Sequence, residues 1–177
     1  MSKRRGSFYW AYGRNLSVAA MRQRCPRAVK VGPLVVHDAR LIFRGVADIT
    51  LAKGEKVQGG LWWISDECEE RLDRFEGAAS KFYLKRHWPR LRAFGREAPC
   101  LFYQMQVSEG VMPPTQEYYD AIRRGYIDFG LDVEALDDAV AAAYADKEVT
   151  PLLRRRHEAR GKPRLARLKP EECDPLT

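Results

Sequence analysis

The order of strand-like and helix-like segments limits the fold of this 177-residue chain more than any other feature. Runs rich in aromatic and β-branched residues outnumber helical ones, and the two kinds do not alternate. Phe8-Tyr9-Trp10-Ala11-Tyr12 has the composition of a buried strand and stops in Gly13-Arg14-Asn15. Asn15 or Ser17 can then cap a short helix that ends near Arg24, before Pro26. Residues 28–46 read as β text broken at Gly32-Pro33 and at Asp38. Gly54-Glu55 is expected to turn the chain into Val57-Gln58-Gly59-Gly60-Leu61-Trp62, where two glycines leave room for another backbone or a ligand. A capped helix follows from Ser65 to Glu76, then β runs over 82–92 and 99–107, then helices over 115–129 and 133–145 divided by Gly130-Leu131-Asp132. This irregular order predicts an α+β fold with a curved sheet or small barrel carrying helices on one side, rather than a strictly alternating βαβ fold.

Composition matters chiefly for what it excludes. The chain is 45% hydrophobic and 31% charged, which suits one ordinary globular domain. No run nears the 18 or so apolar residues that span a bilayer, and the basic start lacks the apolar core of a signal peptide, so no membrane association and a cytoplasmic location are expected. Cys25, Cys68, Cys100 and Cys173 are separated by 43, 32 and 73 positions, with no metal-ligand spacing to His37, His87 or His157. No cofactor or metal is expected, and the four thiols are expected reduced.

The formal net charge of +7 lies at the ends. Residues 151–169 hold eight Lys or Arg against one acid, whereas residues 6–150 balance 20 basic against 20 acidic side chains. The domain is therefore assigned to 6–150 and the rest, 151–177, to a basic extended tail. Nucleic acid is disfavoured as a partner because no reading motif accompanies that charge, and the oligomeric state is left open. Six basic residues from Lys81 to Arg96 with no acid among them read as a solvated hairpin face.

No Walker loop, Gly-x-Gly-x-x-Gly, Gly-x-Ser-x-Gly or His-Glu-x-x-His occurs. His37 lies in an apolar strand run and His87 among basic residues, which disfavours histidine catalysis. Two segments remain. In Tyr12-Gly13-Arg14-Asn15-Leu16 a strand opens into a helix, where successive backbone N–H groups can receive a carboxylate or oxyanion. In Leu72-Asp73-Arg74-Phe75-Glu76-Gly77 a predicted helix ends on an acid, which is unfavourable beside the negative end of the helix dipole.

These segments resemble a known family. Tyr9-Trp10-Ala11-Tyr12-Gly13-Arg14-Asn15-Leu16 is similar to the Tyr-Gly-Ser-Asn-Leu loop of γ-glutamylcyclotransferases, the AIG2-like group. Val57 to Trp62, the helix end at Glu76 with Tyr83 seven residues on, and Pro113-Pro114 followed by Tyr119, Ile122 and Gly125 match in the same order. The resemblance implies a small twisted mixed β-barrel with flanking helices. It also implies a small γ-glutamyl substrate whose α-amine attacks its own γ-carbonyl, closing 5-oxoproline and releasing an amine. Glu76 is then the general acid/base, the loop of residues 9–16 binds substrate, and Tyr83 and Tyr119 line the pocket. Counting from Pro113-Pro114 selects Tyr118 instead of Tyr119. Arg14 stands where most relatives carry Ser, so it either grips a second anionic group, points to solvent or narrows the pocket. The alternative reading is an inactive family member that binds a polyanion through its basic tail.

Overall fold

The structure, a computed structural model, describes residues 6–76, 83–106 and 110–146. The expected basic tail, Gly77 and Lys81 lie outside the described residues. Strand β1 (Gly6–Ala11) leads through a 3-10 turn (Arg14–Leu16) into α1 (Val18–Arg24). β2 (Val29–Phe43) and β3 (Ala47–Ser65) form a long hairpin, and α2 (Asp66–Phe75) follows directly. A second hairpin, β4 (Tyr83–Ala93) and β5 (Arg96–Met105), precedes α3 (Gln116–Phe129) and α4 (Val133–Ala145).

The five strands form one mixed sheet in the order β2-β3-β1-β5-β4. β1 lies at its centre, antiparallel to β3 and parallel to β5. A central strand covered on both faces needs apolar residues at every position, and Phe8 through Tyr12 are all buried. The α+β class and mixed pairing are those expected. The sheet has free ends at β2 and β4, so it is open where the sequence suggested a barrel.

Gly54 is not a turn between strands. The hairpin reverses at 44–46, with Phe43 opposite Ala47, and β3 runs on through Gly54. Pairing passes from His37↔Lys56 to Ala39↔Leu51, so residues 52–55 bulge from the ladder. Gly54 takes φ +81° there, and its N–H donates to the Asp38 carboxylate at 2.8 Å. Gly59 and Gly60 admit protein rather than ligand: an added Cβ would meet Trp10 Nε1 at 2.3 Å and the Phe129 ring at 2.6 Å respectively.

The helices begin and end where their caps dictate. Ser17, Ser65, Thr115 and Asp132 each accept a backbone N–H of the helix they precede, and left-handed Gly130 closes α3. The thiol expectation needs correction: Cys25 and Cys68 form a disulfide that ties the end of α1 to α2. Forty-three residues separate them in sequence, but their Cα atoms lie 5.4 Å apart. Cys100 is a buried free thiol. The basic face of β4 finds its acids on neighbours: Arg90 and Arg92 pair with Glu97 of β5, and Lys85 with Glu69 and Asp73 of α2. Among the described residues, no helix is long and apolar enough to cross a membrane.

Candidate active site

Where β1 ends, the chain must turn away from the sheet, and the 3-10 turn does so with Asn15 pointing inward. Asn15 is 3% exposed, and both polar groups of its side chain are used, as is its carbonyl. Its carbonyl accepts Trp62 Nε1–H at 3.1 Å. Its Nδ2 donates to Tyr9 Oη at 2.9 Å and to Glu76 Oε1 at 2.8 Å, while its Oδ1 accepts from the Arg24 guanidinium. The next residue, Leu16, locks the turn in place against α3. Gly125 permits this approach, since a Cβ there would lie 2.3 Å from Leu16 Cβ.

Glu76 caps the C-terminus of α2, its own N–H donating to the Leu72 carbonyl. An acid at that end opposes the helix dipole, and the compensation comes from outside the helix. Arg24 of α1 lies near the carboxylate, stacked 3.5 Å from the centre of the Phe75 ring, and Asn15 supplies the hydrogen bond. Burial pushes the Glu76 carboxyl above the ordinary carboxylate value, and Arg24 and Asn15 partly hold it down. Among the described residues Oε2 has no hydrogen-bond partner, which leaves it to face a ligand.

Glu76 lines a cavity of about 430 Å³. Its walls are phenolic: Tyr9 and Tyr12 from β1, Tyr83 from β4, Tyr103 from β5 and Tyr118 from α3. The Tyr12 hydroxyl donates to the Tyr103 carbonyl, and Tyr103 Oη donates to Asp73 Oδ1 at 2.7 Å. Burial raises the phenols of Tyr9, Tyr83 and Tyr103, so they stay protonated. The Tyr118 phenol is pushed up to about 12 by burial, while its oxygen accepts the Ala47 N–H at 3.1 Å.

Of the residues singled out in the sequence, Tyr9, Trp10, Tyr12, Gly13, Arg14, Asn15, Glu76 and Tyr83 line this cavity. Ala11 and Leu16 do not; they face the core, 1% and 0% exposed. Tyr119 also lies elsewhere, its hydroxyl donating to Asp137 at 2.5 Å, and its neighbour Tyr118 takes the wall position. The cradle of successive amides is narrower than expected. The Leu16 N–H closes the 3-10 turn on the Gly13 carbonyl. Arg14 itself is 44% exposed and pairs with Glu117 at 3.4 Å. Sequence reasoning missed Arg24, Phe75 and Tyr103. Phe75 was legible as the neighbour of Glu76, but only packing brings the other two to it. His37 and His87 are exposed on the surface.

Residues 9–121 match the family model described as gamma-glutamyl cyclotransferase, AIG2-like. The chain is 30% identical over 138 residues to a gamma-glutamylcyclotransferase of Bos taurus, covering 71% of this chain and 73% of the relative. Identity to the Homo sapiens protein of the same name is 28% over the same length and coverage. A solved gamma-glutamyl cyclotransferase superposes with a TM-score of 0.66 at 22% identity, covering 85% of this chain and 99% of the other. A solved Homo sapiens protein gives 0.66 at 23%, covering 86% and 98%. These two structural likenesses bear on the fold; the family model and the sequence relatives bear on ancestry. With the model spanning well over half of its length, the chain belongs to the gamma-glutamyl cyclotransferase, AIG2-like, family of enzymes.

Proposed function

We propose that the protein releases 5-oxoproline from a γ-glutamyl amide, with Glu76 as the proton carrier. The reaction brings its own nucleophile, so the protein has to fold the glutamyl chain into an attack geometry and carry protons from the attacking nitrogen to the departing one. Ionised Glu76 accepts a proton from the substrate α-ammonium group. The freed amine attacks the γ-carbonyl and a five-membered lactam closes. The C–N bond to the leaving group then breaks as Glu76 returns the proton to the departing nitrogen, and the second proton of the attacking nitrogen, lost as the neutral lactam forms, passes by the same carboxylate to the released amine. Charge builds on the γ-carbonyl oxygen in between, and neutral phenols are suitable donors to it. Tyr9 is one, because its oxygen already accepts from Asn15 and its own proton is free to turn to the cavity. The Gly13 amide and the rest of the loop wall take the substrate carboxylate.

The observation that carries this reading is the clamp on Glu76. One carboxylate oxygen is fixed by Asn15 at 2.8 Å at the wall of a cavity lined by phenols, and the other is left for the proton. A panel of γ-glutamyl dipeptides assayed for 5-oxoproline tests it. Product from at least one dipeptide is expected. No product from any of them would turn attention to a non-catalytic, polyanion-binding role.

A further inference from the structure

The cavity that holds Glu76 continues into a second depression of about 650 Å³ between α1 and α2. Arg14, Arg24 and Phe75 belong to both. Beyond them the groove is lined by Arg71 and Arg74, with Glu67 as the single acid among its lining residues. That acid is already held, by Arg71 at 3.0 Å and by Arg27 at 3.3 Å. Arg14 and Arg74 are paired only loosely, with exposed Glu117 at 3.4 Å and exposed Glu70 at 3.8 Å. Exposed pairs of this kind contribute little and yield readily to a ligand anion. Arg24 donates to the neutral amide oxygen of Asn15.

The chemistry at Glu76 fixes which part of a substrate reaches this groove. The departing nitrogen must sit at the Glu76 carboxylate. The next side chain along, Phe75, is 59% exposed and carries the Arg24 guanidinium 3.5 Å from its ring centre. A leaving group that follows the wall shared by the two depressions passes over Phe75 and Arg24 and runs on to Arg71 and Arg74. Four guanidiniums line this path; Arg71 is shared with Glu67 and Arg24 stands beside Glu76, which leaves the loosely paired Arg14 and Arg74 in surplus, one for each of two anionic groups.

We propose that the groove selects γ-glutamyl amides whose leaving portion carries at least two negative charges, an acidic amino acid or short acidic peptide. This deepens the proposed function and rests on it. Arg14 then acts at the junction, where it meets the first anionic group.

The test compares γ-glutamyl-glutamate with γ-glutamyl-glutamine, which share shape and differ in one charge. The acidic substrate is expected to show kcat/KM about tenfold higher at low salt, mostly through KM, since exposed ion pairs supply up to about fivefold each. Added salt should shrink that preference. In the Arg71→Ala/Arg74→Ala variant it should fall to within about threefold. The Arg90→Ala/Arg92→Ala variant, which removes the same charge from the β4 face, should keep it. Equal kcat/KM for the two substrates, or a preference that survives loss of Arg71 and Arg74, overturns the proposal. Calorimetry of both dipeptides on Glu76→Gln separates this from the parent reading. Selective, Arg71- and Arg74-dependent binding to Glu76→Gln, with no 5-oxoproline formed from either dipeptide by the parent protein, supports the groove and overturns the proposed reaction; equal binding, or none, overturns the groove.

Discussion

Asn15 Nδ2 stands 2.8 Å from Glu76 Oε1, and that amide also reaches Tyr9 and Arg24. One buried amide thus joins residues from β1, α1 and the end of α2. An amide offers two donors and one accepting oxygen, and all three are committed here. A carboxylate in its place could not donate to Glu76, and an apolar side chain would leave buried partners unsatisfied.

Replacing Asn15 should therefore alter both rate and proton affinity. Asn15→Ala removes a hydrogen bond to the charged form of Glu76, which raises its pKa further. The acid limb of the kcat/KM profile should move to higher pH, and the plateau should fall about tenfold or more. Arg24→Gln should shift the limb in the same direction, because it removes the nearby positive charge that lowers Glu76. Lower activity with an unmoved limb would indicate a purely structural role.

Stability should report the same perturbation with opposite consequence. The folded-state pKa of Glu76 lies above its unfolded value, so between the two the native state binds more protons. Stability then falls as pH rises through that window, and the ionised side chain is a net cost at neutral pH. Glu76→Gln should be more resistant to urea than the parent at pH 7, and the difference should vanish below about pH 4, where both side chains are neutral. A parent advantage at pH 7 would contradict this.

The close approach of α3 to the 3-10 turn makes a third test. In Gly125→Ala the new Cβ would lie 2.3 Å from Leu16 Cβ and 2.7 Å from Ser17 N. Backbone must move, at a cost of about 1–3 kcal/mol. The displaced turn carries Asn15, so activity should fall along with the thermal midpoint. An unaffected midpoint would show that α3 yields freely.

Breaking the Cys25–Cys68 link should destabilise the fold without touching the cavity. A loop of 43 residues corresponds to about 4 kcal/mol in the chain-entropy model. Cys25→Ser/Cys68→Ser, or treatment with dithiothreitol, should lower the thermal midpoint. The parent's midpoint under reducing conditions should match that of the variant.

These residues also mark how far the sequence reaches. The buried strand, the Gly13 turn, the Ser65 cap and the helix end at Glu76 are legible because each is set by chemistry within a few positions. Asn15 is legible as a turn residue, but its bond to Glu76 spans 61 positions. Tyr103 and Arg24 enter the cavity through strand order and the packing of α1 on the loop, which no local pattern encodes. Tyr118 and Tyr119 are adjacent on one helix, and only the placement of α3 decides which faces the cavity and which reaches Asp137 on α4. Gly54 reads as a turn because a left-handed glycine serves a bulge and a turn equally well. The disulfide escapes a reading of spacings because spacing carries no information about which helices pack together.

The proton-carrier assignment meets its most direct test in the rate of 5-oxoproline release by the parent and by Glu76→Gln, measured on the best γ-glutamyl dipeptide with folding checked by near-ultraviolet circular dichroism. A loss of at least about a hundredfold in kcat with an intact fold is predicted, since positioned proton transfer supplies about 10² to 10⁴. Near-parental turnover by a folded Glu76→Gln protein would contradict it.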